Sequence, residues 1–145
     1  MKASRSVFPI VLLGLLGFCA CSESVFSELP KKVAMFIEQY YPQATVESYS
    51  EENGLRRVDL DKSATFVFNS DDEWVSVNGN GVPIPAEFTL DEFPETLYDY
   101  LDSTMATADV YSVSRERGLW TVVLTNQVIH YDQTSGRLSV DSPTF

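Results

Sequence analysis

The chain has 145 residues, 44% of them apolar, with two cysteines and a formal charge of −11 from 10 basic and 21 acidic side chains. That length allows one ordinary domain or two very small ones, and that apolar share supports a packed core. Beyond residue 20 eight basic residues face 21 acidic ones, a charge of −13, so the surface repels phosphate backbones and nucleic acid is excluded as a partner class. Basic proteins or cations suit such a surface better.

The first twenty residues read as an export segment. Lys2 and Arg5 form a positive head, and an apolar run from Val7 to Phe18 follows, broken by Pro9 and two glycines. The run falls short of the about 20 apolar residues that span a bilayer, and it has the length of a signal-peptide core. Phe18-Cys19-Ala20-Cys21 then resembles a lipobox, in which a small residue precedes the cysteine that is acylated. Ala20 is the small residue and Cys21 the lipidated one; with Cys19 as acceptor the preceding position would hold bulky Phe18. Cysteines two apart rarely meet disulfide geometry, and no further cysteine completes a zinc set. The expected organisation is a signal peptide at 1–20, a lipidated tether at 21–28, a repeat at 29–78, a linker at 79–88 and a second repeat at 89–145. The expected place is the cell envelope, with the lipid on Cys21 as the membrane contact.

The duplication is visible residue by residue. At an offset of 64, Leu29-Pro30 falls on Phe93-Pro94, Ile37 on Leu101, Val46 on Val110, Gly54-Leu55 on Gly118-Leu119, and Val58 on Val122. One residue is lost near Lys62-Ser63, after which Phe66 matches Ile129, Phe68 matches Tyr131, Val75 matches Leu138 and Ser76-Val77 matches Ser139-Val140. Two copies are too few for a solenoid, so the pattern predicts one pseudo-symmetric domain.

Each copy opens with a helix. Leu29, Val33, Phe36, Ile37 and Tyr40 recur at helical spacing, with Pro30 suited to the first turn and Pro42 to the end. In the second copy Leu97, Leu101 and Met105 form the stripe, opened either by a Thr89–Glu92 capping box or by Pro94. Four strand-like runs follow each helix: Thr45–Ser50, Leu55–Asp61, Ala64–Asn69 and Trp74–Asn78, then Asp109–Ser114, Leu119–Thr125, Val128–Asp132 and Arg137–Asp141. Asn53-Gly54, Asp71-Asp72, Arg117-Gly118 and Ser135-Gly136 read as hairpin turns. The predicted class is α+β: two tandem helix-plus-four-strand repeats forming an antiparallel meander, with both helices on one face.

Period-2 alternation sorts the strand residues. Val58, Leu60, Phe66, Phe68, Val75, Val77, Trp120, Val122, Ile129, Tyr131, Leu138 and Val140 should face the helices. The opposite parity is mixed and should remain open, as one face of an antiparallel sheet can. Within it Trp74, Arg57, Val67, Val123 and His130 are the candidate partner-binding residues, with Trp74 as an exposed anchor. His130 is the one histidine, and no serine nucleophile accompanies it. Asp59-Leu-Asp61-Lys-Ser63 begins like a calcium loop but lacks its glycine and closing glutamate. No metal triad, nucleophile–base set or dinucleotide fingerprint stands out, so the reading is a non-enzymatic binding module without a cofactor. Its partner is a protein of unknown identity; the alternative is a small-ligand or cation binder of the cell surface.

A lipobox followed by two copies of Leu/Phe-Pro, an amphipathic helix and an aromatic-x-aromatic strand resembles the PepSY-like family of small exported proteins, also described as β-lactamase-inhibitor-like. The resemblance covers Leu29 to Asp141 and rests on Leu29-Pro30, Tyr40-Tyr41-Pro42, Phe66-Val-Phe68 and Trp74 with their second-copy counterparts. Thr104-Met105-Ala106 departs from the Tyr-Tyr-Pro helix end. The resemblance implies a binding or hydrolase-inhibiting module, with no inhibitory residue carried over.

Overall fold

Turn residues and alternation close the chain into one sheet. The structure, a computed structural model, describes residues 26–142; Cys21 and the export segment lie outside them. Helix α1 (Lys31–Tyr40) leads to strands β1 (Val46–Glu52), β2 (Leu55–Leu60), β3 (Thr65–Phe68) and β4 (Trp74–Asn78). Helices α2 (Ala86–Glu92) and α3 (Glu95–Ser103) precede β5 (Val110–Glu116), β6 (Leu119–Leu124), β7 (Val128–Asp132) and β8 (Arg137–Asp141). All eight strands form one antiparallel sheet whose order is the order of the chain, an α+β meander as the sequence predicts.

The repeat extends to backbone detail. Pro30 and Pro94 stand at the N-caps of α1 and α3, and their carbonyls accept the Ala34 and Tyr98 amides at 2.9 Å. The two-residue turns Asn53-Gly54 and Arg117-Gly118 place both residues at positive φ, the conformation that matches strand twist in a tight hairpin. β1 and β5 carry bulges at equivalent positions, between Val46 and Ser48 and between Val110 and Ser112. The inward set is buried as expected at Val58, Phe66, Phe68, Val77, Trp120, Val122, Ile129 and Tyr131.

Rings from α1 and α2 meet this set. Phe36 contacts Phe66 and Phe68 at centroid distances of 6.0 and 5.8 Å, and Phe88 contacts Trp74 at 5.1 Å. Leu97 and Leu101 of α3 join the same core.

Two expectations need correction. The segment expected to be a linker contributes to the core: Ile84 and Phe88 are fully buried, and α2 begins inside it, after Pro85 at its N-cap. Pro83 and Pro85 mimic a linker, but here Pro85 opens a helix. The Ile84 amide donates to Val110 O at 2.7 Å, holding the segment against β5. Thr89 lies within α2, its hydroxyl donating to Ala86 O at 2.8 Å, so it caps nothing, and Pro94 opens the following helix.

The second correction concerns Trp74, expected on the open face and found 2% exposed. β3 and β4 pair as Phe66↔Val77 and Val67↔Ser76, but then as Phe68↔Trp74, so β4 holds one extra residue. This bulge at Val75 reverses the side-chain alternation and turns the indole inward. β8 has no such bulge, and Leu138 pairs with Tyr131 as Trp74 pairs with Phe68. Trp74 is therefore the structural counterpart of Leu138, a place the sequence alignment gives to Val75.

Candidate functional site at the repeat seam

The open face is ordered in rows. Ser50, Arg57, Val67, Ser76, Ser114, Thr121, His130 and Ser139 stand opposite one another in succession across all eight strands. The next row runs through Ser48, Asp59, Thr65, Asn78, Ser112, Val123, Val128 and Asp141. Arg57 and Val67 are thus direct cross-strand neighbours. His130 shares their row but lies five strand spacings from Arg57, roughly 24 Å. Val123 belongs to the adjoining row. The structure brings Arg57 and Val67 together and leaves His130 and Val123 apart from them, with Trp74 on the other side of the sheet.

Arg57 is exposed, yet its guanidinium is already committed. Its Nε and Nη2 donate to both carboxylate oxygens of Asp59 at 3.0 to 3.2 Å. Asp59 also accepts the hydroxyls of Thr65 at 2.7 Å and Ser48 at 3.0 Å. The Arg57 fork holds the Asp59 carboxyl below the usual carboxylate range; burial opposes it, and the two hydroxyls add smaller lowering effects. This closed cluster contains the Asp59 that begins the calcium-like stretch. His130 Nε2 lies 3.3 Å from Asp141 Oδ2.

A broad concavity lies at the seam between repeats, where the pairing of β4 and β5 stops. Their pairing covers Asn78↔Ser112, Val77↔Val113 and Ser76↔Ser114, and ends where β4 bulges. Beyond that point opens a groove of about 1070 Å³, lined by Val67, Ser76, Ser114 and Thr121 of the open-face row and by the charged Glu73, Arg115, Glu116 and Arg117. Leu55 and Leu119 flank it, 46% and 58% exposed, and they are the same residue of the two repeats.

Arg115 fastens the seam. Its Nε donates to Trp74 O at 2.9 Å, and its guanidinium carbon lies 3.9 Å from the Trp74 ring centroid and 5.4 Å from that of Trp120. Burial lowers its pKa, with Glu92 and Glu73 opposing that effect. A partly desolvated cation between two indoles is held by their ring faces as well as by charge. The Trp120 indole N–H in turn donates to Gln133 Oε1 at 3.1 Å.

The groove therefore offers leucine contact, hydroxyl hydrogen bonds and charges of both signs. Nothing in the periodicity marks Arg115, because it lies on the inward parity of β5 where alternation predicts an apolar residue. The repeated Gly-Leu at 54–55 and 118–119 is the one sequence signal for the groove, and it reads first as a turn.

No family model matches the chain, and no curated protein matches it. Solved structures share its fold. A Bacteroides vulgatus protein of the DUF2874 family, provisionally described as periplasmic, matches at 18% identity and TM-score 0.69 over 81% of this chain and 93% of its own. A Bacteroides thetaiotaomicron protein, provisionally described as periplasmic and calcium-regulated, matches at 18% identity and TM-score 0.67 over 81% and 93%. A second Bacteroides vulgatus protein, of unknown function, matches at 18% identity and TM-score 0.63 over 80% and 94%. The likeness spans nearly the whole of each neighbour and is one of fold.

Proposed function

We propose that this chain is an exported, lipid-anchored protein whose domain is a non-catalytic protein-binding module, with the seam groove as its contact surface. The observation that carries the reading is the pair Leu55 and Leu119: large apolar side chains, exposed at equivalent positions of the two repeats, on either side of one groove. Covering exposed leucine surface is favourable, and two such residues lining one concavity can be covered by a single partner. The charge of −13 beyond residue 20 favours a partner with a basic face. Ala20-Cys21 supports the anchor, and the periplasmic descriptions of the fold neighbours agree with export. Restraint of a hydrolase is the finer form of the proposal, resting on the PepSY-like resemblance.

The test is affinity capture of the full chain from detergent-solubilised envelope, with a Leu55→Glu/Leu119→Glu variant alongside. One protein enriched with the natural chain and absent with the variant supports the groove, and purified pairs then give its Kd. Equal enrichment with both chains would place the contact elsewhere.

A second reading, a small ligand in the same groove, draws on its volume, which lies just above the range of common ligand sites. The description of one neighbour as calcium-regulated adds calcium to the compounds to try. A rise in Tm with one compound, abolished by the same two substitutions, would favour this reading over a protein partner.

A further inference from the structure

The two edges of the sheet are unlike. β1, at one edge, carries Glu47, Glu51 and Glu52 and is bent by its bulge. Like charges and a broken ladder both deter a further strand. β8, at the other edge, has neither device. Its five residues pair with β7 in unbroken register, from Val128↔Asp141 to Asp132↔Arg137. Its outer side is a regular row of backbone donors and acceptors, and among the described residues only β7 pairs with it.

Comparison of the repeats makes the same point. In β4, which has β5 beside it, Trp74 and Val77 are buried; their counterparts in β8, Leu138 and Val140, are half-buried and 38% exposed. The second repeat presents the same apolar pair at an edge where the first repeat is covered by a strand.

The sequence of β8 indicates which strand fits. Arg137-Leu138-Ser139-Val140-Asp141 is self-complementary when laid antiparallel on itself about Ser139. Arg137 then stands opposite Asp141, Leu138 opposite Val140, and Ser139 opposite its own copy. Directly opposed residues share a face. The two ion pairs would thus fall on the open face, where Ser139 pairs with His130, and the two Leu–Val contacts on the face of Ile129 and Tyr131. Each Arg137 would lie between Asp132 of its own chain and Asp141 of the other. β1 offers no such match, since its glutamates would meet glutamates in self-pairing.

We propose that β8 pairs antiparallel with β8 of a second copy about a twofold axis at Ser139, joining two eight-stranded sheets into one. The pairing is independent of the groove, which lies at the β4–β5 seam.

Sedimentation equilibrium of the full chain in density-matched detergent tests it. The natural chain is expected as a dimer. Asp141→Arg places two arginines opposite each other and should weaken association about tenfold or more. Arg137→Asp/Asp141→Arg restores the complementarity with reversed polarity and should restore the dimer. In a Cys19→Ser/Cys21→Ser background, Ser139→Cys should cross-link into a dimer on mild oxidation, and His130→Cys, one strand further in, should not. A monomeric natural chain overturns the proposal. A dimer indifferent to the charge substitutions, or one that Ser139→Cys does not cross-link, places the contact elsewhere and also overturns it. Open-ended growth with concentration would mean β1-to-β8 addition, again against the proposal.

Discussion

The indole N–H of Trp74 donates to Glu92 Oε2 at 2.9 Å, while the other oxygen of the same carboxylate lies 3.1 Å from the Tyr40 hydroxyl. One side chain at the end of α2 thereby ties β4 to α1. Burial, followed by the charge of Glu92, raises the Tyr40 pKa, so the phenol remains a donor. Removing the carboxylate strands the buried Trp74 indole N–H, while the Tyr40 hydroxyl keeps Asp91 Oδ2 at 3.1 Å as an acceptor. Glu92→Ala should cost about 1–3 kcal/mol and Glu92→Gln less, measured by urea unfolding. Equal stability of Glu92→Ala and the natural chain would show that water replaces the carboxylate.

Trp74 and Leu119 should behave as opposites. Trp74→Ala empties a core position among Phe88, Trp120 and Arg115, and should cost about 3–5 kcal/mol. Leu119→Glu changes an exposed rim residue and should remain within about 0.5 kcal/mol of the natural chain. Thermal or denaturant unfolding checks both. A stable Trp74→Ala domain would contradict the bulged register of β4.

Acid stability should depend on Asp59. Its pKa is depressed in the fold, so its contribution is complete above the unfolded value of about 3.9 and is lost as pH falls through the lower, folded value. Asp59→Asn should therefore be less stable than the natural chain near neutrality, with the gap closing in acid. Unfolding free energies from about pH 6 to about pH 2 test this. A gap that does not narrow would remove the charge of Asp59 as the cause.

Gly79 occupies a place closed to any side chain. A Cβ there would come 1.9 Å from Val82 O and 3.2 Å from Tyr111 O, and the Gly79 amide donates to Tyr111 O at 2.8 Å. Gly79→Ala should force the chain off β5 and lower stability by about 1–3 kcal/mol, visible as a lower urea midpoint. Gly81→Ala has open space around its Cβ but a φ of +90, so its cost is backbone strain alone.

Much of this fold is legible because period and turn chemistry agree. Val58 and Val122, or Gly54 and Gly118, announce both the strands and their repetition. The inward position of Trp74 is not legible: one inserted residue in β4 leaves composition and turn signals unchanged while reversing the alternation. α2 is hidden for a different reason, since Pro83 and Pro85 resemble loop residues and only the burial of Ile84 and Phe88 shows the segment to be core. Of the candidate surface, alternation assigns Arg57 and Val67 only to the same parity; that they stand opposite each other across β2 and β3, and that Arg57 is attached to Asp59, follows from geometry. The groove depends on where β4 and β5 part, a tertiary event without a local signature.

Because strand order follows chain order, six of the seven strand pairings close over short turns, and β4 to β5 alone must close over the stretch that carries α2 and α3. Short closures lose little chain entropy and form early; the long one forms against a larger loss. The β4–β5 junction is therefore expected to be the last pairing to form. Arg115 reaches Trp74 only across that junction, so the groove does not exist in a half-folded chain. A partner that recognises the groove would engage the finished molecule and leave partly folded copies alone.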